Sequence, residues 1–402
     1  MTETVTASSI LSVPKADLDD LRDRVRRTRW APDWPIAAET SDGAMRKGAR
    51  ADGALDNTAV WGAGTDPALL RRLADRWVNG FDWDAQQREI NALPWSSAVV
   101  DGTPLAYLQF NAETPGALPI VLTNGWPSTA VEMVDLAQRL SEPSRFGGSA
   151  SDALTVIVPA LPGFPFSPQR PDHNDQTHEL WHTLMTEHLG FTKYGAHGGD
   201  LGAGITSRLA QAHPEAVVGI HLLAIATALH VDPDSITAEE QVYIDAVDQW
   251  RTDEGGYQHQ QSTRPLTLAP ALNDSPVGLL SWIVEKHRAW SDCDGDVSAR
   301  FSDDYLLTVT SLYWFTNSIS TSFRPYWEYN AGFTPRIERV EVPTAIALFP
   351  ADISKPPRSW AERLYPVVRY NRMTRGGHFA PHEEPELLAT DISEFFKQLQ
   401  AA

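Results

Sequence analysis

The chain of 402 residues carries 33 Lys and Arg against 52 Asp and Glu, a formal net charge of −19, with 42% hydrophobic and 21% charged residues. That length can bury a large core, and the mix is that of a soluble globular protein. The acidic excess argues against nucleic acid or an anionic membrane as a partner. A single cysteine, Cys293, stands in the polar run Ser291-Asp292-Cys293-Asp294. It excludes an intramolecular disulfide, fits a reducing compartment, and reads as an incidental loop residue with no sign of apolar burial. The first residues lack a basic stretch followed by an apolar run, and no segment is apolar enough to span a bilayer, so a cytoplasmic location is expected.

Residues 1–92 read as a helical, tryptophan-rich region. Lys15 to Trp30 is amphipathic, with Leu18, Leu21 and Val25 on one face. A loop is expected over 36–60, and a helix begins at Pro67 behind the N-cap Asp66. From Ser96 the character changes. Short β-type runs occur at Ala98-Val99-Val100, 105–110, 119–123, 154–158, Tyr194-Gly195-Ala196 and 217–223, and again at 344–349 and 367–370. Several are apolar throughout, as in strands buried on both faces of a parallel sheet. Helical stretches lie between many of them, which predicts an α/β fold. The alternation stops over 226–335, where patterns such as 275–285 and 303–314 predict a helical insertion. The expected division is therefore a helical region over 1–92, a core in two parts over 93–225 and 336–402, and a helical lid over 226–335.

The chemistry centres on Gly198-Gly199-Asp200-Leu201-Gly202. Small residues two before and two after a central acid or hydroxyl mark a sharp strand-to-helix turn that exposes a nucleophile. Serine at the centre points to an esterase; aspartate points to an enzyme that alkylates its own carboxylate and then hydrolyses the ester. A following helix, from Gly204 onward, would favour the ionised acid through its dipole. Gly376-Gly377-His378, after the last strand-like run, sits where a general base follows in this chain order. Asp352, just past the strand 344–349, is the candidate that orients it. Glu383 and Glu384 are nearer in sequence but fall on a following helix. Asn124-Gly125-Trp126-Pro127 ends a strand, so the backbone N–H groups of Trp126 and Leu201 are candidates for an oxyanion hole, with Trp126 and Pro127 lining the substrate site. His178-Glu179-Leu180-Trp181-His182 fits the H-E-x-x-H zinc-protease pattern. It lacks the longer metzincin continuation and reads as a helix packed beside the sheet.

Taken together, these motifs resemble the microsomal-type epoxide hydrolase family of the α/β-hydrolase superfamily. The resemblance runs over nearly the whole chain. It includes Arg27-Thr28-Arg29-Trp30, Gly80-Phe81-Asp82-Trp83-Asp84, Leu161-Pro162-Gly163-Phe164, the run from Gly256 to Pro265, Leu272-Asn273-Asp274-Ser275-Pro276, Leu312-Tyr313-Trp314 and Gly376-Gly377-His378-Phe379-Ala380. It implies an α/β-hydrolase fold with a mostly parallel sheet, a helical lid and a helical N-terminal extension. Asp200 then matches the nucleophile, His378 the base and Asp352 the acid position. Tyr257 and Tyr326 match the two lid tyrosines that hold the epoxide oxygen; without the family both would read as packing residues. Two departures stand out, since the family usually has histidine at Asn124 and commonly tryptophan at Leu201. The implied reaction takes an epoxide and water to a vicinal diol with no metal or organic cofactor. The family spans detoxifying enzymes, juvenile-hormone hydrolases and natural-product enzymes, including those of enediyne antibiotics. A haloalkane dehalogenase and an inactive ligand-binding homologue are the alternatives, and a homodimer stays open.

Overall fold

The computed structural model describes residues 9–32, 61–172, 176–226 and 231–401. The loop expected over 36–60 lies outside them. Eight strands form one sheet: β1 (Trp95–Val100), β2 (Thr103–Phe110), β3 (Pro119–Thr123), β4 (Thr155–Pro159), β5 (Tyr194–Gly198), β6 (Val217–Leu222), β7 (Thr344–Leu348) and β8 (Val367–Arg372). Their spatial order is β1-β2-β4-β3-β5-β6-β7-β8. The pairs β1·β2 and β2·β4 are antiparallel, and the rest are parallel. Every residue of β3, β5 and β7 is buried, as their unbroken apolar or small-residue runs predict for strands covered on both faces. Because these three run the same way, their carboxyl ends open at one rim of the sheet, where ligands bind in open α/β folds.

Three helices precede the sheet: α1 (Lys15–Arg26), α2 (Pro67–Asn79) and α3 (Trp83–Asn91). Asp66 caps α2 by accepting from Ala68 N, with Pro67 in the first turn, as expected. Helices α4 (Val134–Ser141), α5 (Thr177–Thr183) and α6 (Leu201–Ala212) alternate with the strands. The insertion between β6 and β7 holds α7 (Ala238–Asp253), α8 (Gly256–Thr263), α9 (Pro265–Asp274), α10 (Pro276–Ala289), α11 (Asp303–Phe315), α12 (Ile319–Ser322) and α13 (Arg324–Asn330). The chain closes with α14 (Arg358–Glu362), α15 (Ala380–Glu383) and α16 (Pro385–Ala401).

The N-terminal helices pack on the lid as well as on the core. Buried Trp77 donates its indole N–H to Ser311 Oγ of α11 at 3.0 Å. Arg76 forks onto both carboxylate oxygens of Asp304 at 2.8 Å, and Arg24 reaches Asp274 of α9 at 2.7 Å. The two ion pairs are largely exposed and add little by themselves; the buried indole supplies the larger share. Cys293 departs from expectation. It is 3% exposed, and its thiol donates to Arg288 O; the turn that carries it packs against the His378 loop, where Asp292 N donates to Glu383 Oε2 and Gly376 N donates to Asp292 Oδ2. No helix among the described residues is long and apolar enough to cross a membrane.

A polar chain crosses the core. His197 Nδ1 lies 3.0 Å from His221 Nδ1, and His221 Nε2 lies 3.0 Å from Asp391 of α16. Burial, then the neighbouring His221, holds the His197 pKa well below its ordinary value. Burial also pushes that of His287 down to about 4.

Two outcomes follow from this packing. Trp77→Ala removes a buried indole that joins α2 to α11 and should cost about 3–5 kcal/mol in denaturant unfolding. His287 is neutral in the fold, while the unfolded chain protonates near ~6.5. Its contribution is present above that pH and is lost as the pH falls towards about 4. His287→Gln should therefore show a shallower loss of stability over this window than the parent chain, measured by urea midpoints at each pH.

Candidate active site

The elbow is built as its spacing requires. Between β5 and α6 the backbone of Asp200 adopts φ 50° and ψ −126°, a left-handed conformation that non-glycine residues rarely hold. The turn is tight enough that a Cβ on Gly198 would sit 2.3 Å from Gly202 O. One on Gly202 would sit 2.1 Å from Thr123 O of β3. Only glycine fits either place, which explains the small residues two before and two after Asp200.

The other parts converge on this carboxylate. Trp126, just past β3, donates its backbone N–H to Asp200 Oδ1 at 2.9 Å. Its peptide bond to Pro127 is cis. His378 Nε2 lies 3.6 Å from Asp200 Oδ2, and its Nδ1 lies 2.7 Å from Asp352 Oδ1. The histidine loop is pinned to the lid, where His378 N donates to Trp290 O at 2.8 Å. Glu383 and Glu384 serve elsewhere. Glu383 accepts from Phe379 N and Asp292 N, and Glu384 pairs with Arg300 and Arg375. Burial alone would lower the His378 pKa. The carboxylates of Asp352, then Asp200 and Glu132, outweigh it and raise the value to about 9.

Tyr257 on α8 and Tyr326 on α13 face the same cavity as Asp200, Leu201 and His378, a space of about 510 Å³. The Trp126 ring orders both. It stacks on Tyr257 at 5.5 Å and 8°, and meets Tyr326 edge-on at 6.2 Å and 87°. Tyr326 Oη is buried, with the Tyr257 hydroxyl as its neighbour. Burial, reinforced by the charge of Asp200, holds both phenol pKa values well above the ordinary range. The two phenols are therefore held protonated at the cavity that the Asp200 carboxylate also lines.

The H-E-x-x-H stretch lies on α5, and none of its five residues lines this cavity. Glu179 accepts from His213 at the end of α6 (2.9 Å), and His182 Nδ1 meets Tyr194 Oη at 3.0 Å. The His182 and His213 rings stack in parallel, 3.5 Å apart. Parallel rings hold their in-plane nitrogen lone pairs side by side instead of aiming them at one point. The residues brought within reach of each other are His182, His213 and Glu215, not the motif pair. The motif joins α5 to α6.

Glu132, not singled out from the sequence, lines a small cavity with Asp200 from the short turn Ala130–Met133. Its signal was a lone acid in an otherwise apolar run.

Two family models match the chain: "Epoxide hydrolase N terminus" over residues 7–133 and "alpha/beta hydrolase fold" over 118–255. A Stigmatella aurantiaca relative is 35% identical over 97% of this chain and 84% of its own. Epoxide hydrolase 1 of Sus scrofa is 32% identical over 84% of this chain and 81% of its own. Among solved structures, the Aspergillus niger epoxide hydrolase superposes with a TM-score of 0.79 at 27% identity, covering 97% and 95% of the two chains. The elbow, the buried histidine–carboxylate pair and the two lid phenols thus occur in a chain whose likeness to these proteins is nearly end to end, and the chain belongs to the epoxide hydrolase family of α/β-hydrolase-fold enzymes.

Proposed function

We propose that this epoxide hydrolase works through a covalent ester on Asp200. The observation that carries the reading is the convergence of Asp200, Tyr257, Tyr326 and His378 on one cavity. Its volume of about 510 Å³ suits an epoxide of drug-like size. The two phenols hydrogen-bond the epoxide oxygen, and Asp200 attacks a ring carbon. One phenol passes its proton to the oxygen as the C–O bond breaks, which leaves a hydroxyl ester and a phenolate.

The second half rests on electrostatics. In the resting site the carboxylates of Asp352 and Asp200 hold His378 protonated. Esterification removes the charge on Asp200. The imidazolium becomes a stronger acid just as a strongly basic phenolate appears, so the proton returns to tyrosine and His378 becomes neutral. It then takes a proton from water, and the hydroxide adds to the ester carbonyl. The oxyanion forms where Trp126 N–H already meets Asp200 Oδ1, and the N–H of Leu201 is the second donor we assign. Collapse releases the diol and returns Asp200 to carboxylate beside imidazolium. The paired phenols favour this reading over a haloalkane dehalogenase, and the complete triad favours it over an inactive binding homologue.

His378→Gln incubated with an epoxide should gain the mass of that epoxide on Asp200, read by peptide mass spectrometry. In a single wild-type turnover in heavy-oxygen water, label should enter the Asp200 carboxylate. Label that enters the diol directly would overturn the covalent route. Asp200→Asn removes one of the charges that raise His378, so its imidazole, followed by NMR, should titrate below the wild-type value of about 9.

A further inference from the structure

A second cavity, of about 20 Å³, adjoins Asp200 on the side away from the lid tyrosines. Its walls include Asn124, Ser128, Glu132, Asp200, Leu223 and His378. That volume holds one water, which needs roughly 10–15 Å³ and two to four polar partners. The partners are present. Asn124 is 1% exposed and its Oδ1 has no hydrogen-bond partner among the described residues. Glu132 is 9% exposed and its Oε2 has none either. Buried polar atoms left without partners mark a place for water.

Glu132 also borders a third cavity, of about 340 Å³, between α3 and α11. Gln86, Ile90, Tyr305, Thr308 and Val309 line it, and Asp200, Tyr257 and Tyr326 do not. Glu132 is thus the shared wall between this rear cavity and the one-water cavity at the nucleophile. Tyr305 Oη, on the rear side, is buried beside the Glu132 carboxyl.

Building on the ester mechanism above, we propose that Glu132 is a positioning residue for the hydrolytic water, holding it with Asn124 against His378, and that this water enters from the rear cavity and not past the substrate. The water gives one hydrogen to Glu132 Oε2, with Asn124 Oδ1 alongside, and turns the other to His378 Nε2, which directs its oxygen lone pair towards the Asp200 carbonyl carbon. His378 remains the base, and no proton passes to Glu132. The arrangement solves a traffic problem. With the glycol ester bound in the front cavity, a rear entry gives water a path separate from the substrate's. It also accounts for asparagine at position 124, since its side-chain oxygen supplies an acceptor at this wall.

The charged and titratable groups around Glu132 are His378, Asp200, Glu383, Tyr305 and Tyr313, with Glu89 and Asp304 farther out on the rear cavity. Burial, opposed by Ser128 and His378 and reinforced by Glu383 and Asp200, pushes the Glu132 carboxyl up to about 7. As the carboxylate it accepts from water with both oxygens free of protons, so its positioning role strengthens as pH rises through that value.

The test is quenched single turnover of the full-length enzyme, which separates ester formation from ester hydrolysis. Glu132→Gln keeps shape but loses the carboxylate. It should form the Asp200 ester at the wild-type rate and hydrolyse it up to about a hundredfold more slowly. The hydrolysis step should also lose its rise near pH 7. Thr308→Phe, which fills the rear cavity without touching Asp200 or His378, should slow hydrolysis while leaving ester formation intact. Unchanged hydrolysis and an unchanged pH profile in Glu132→Gln would overturn the proposal. So would equal slowing of both steps together with a lower melting temperature, the mark of a structural role. Wild-type hydrolysis in Thr308→Phe would overturn the rear entry. If no ester forms in the wild type, it is the covalent reading that falls.

Discussion

The structure depends on one strained residue held in place by its neighbours. Asp200 sits at positive φ, a conformation that costs on the order of 1–3 kcal/mol for a non-glycine residue. It persists because the turn has no room to relax. Gly198 and Gly202 bring the backbones of β3, β5 and α6 to within contact distance. That same closeness puts Trp126 N–H on the Asp200 carboxylate. The tight elbow and the donor that meets the nucleophile are thus one geometric fact. A larger residue at either glycine would force β3 and β5 apart and remove both.

Around this point the protein divides labour between its two layers. The sheet rim contributes Asp200, Asp352 and the Trp126 backbone, which must be fixed in position. The lid contributes Tyr257 and Tyr326, whose burial keeps them protonated. Trp126 couples the layers: its backbone N–H meets the Asp200 carboxylate while its ring's face and edge order the phenols. The lid in turn is braced from outside by α1 and α2, through Trp77 and the arginine pairs. The N-terminal helices thus serve the site at a distance, by holding the roof that carries its acids.

What could be read from sequence followed from how local the signal was. The elbow, the buried parallel strands and the Asp66 cap depend on residues close in the chain, and the structure carries all of them. Asp352 was separable from Glu383 and Glu384 because strand ends and helix starts are also local features. Tyr257 and Tyr326 were legible only through the family's pattern, since tyrosine in a helical segment usually packs. The burial of Cys293 was missed because its polar neighbours describe a turn but not what covers it. H-E-x-x-H, read as a helix packed beside the sheet, did not disclose what it packs against, for the complementary reason. Its spacing is local, but its partner His213 comes from another helix. Glu132 went unread because its meaning lies in two cavities that only the fold creates.

The acidity of the chain takes on a specific meaning at the site. Three carboxylates, Asp200, Asp352 and Glu132, act on one buried imidazole and together overcome the burial that would otherwise keep it neutral. On the proposed covalent route, a base held protonated at rest is a poor catalyst for hydrolysis, and that would serve the order of events. Before the ester exists there is nothing to hydrolyse, and an imidazolium beside Asp200 keeps the nucleophile ionised. Alkylation cancels one of the three charges, and the balance tips towards neutral histidine only then. If the proposed ester forms, the electrostatics order the steps: the substrate, by consuming the charge of Asp200, releases the base that will free it.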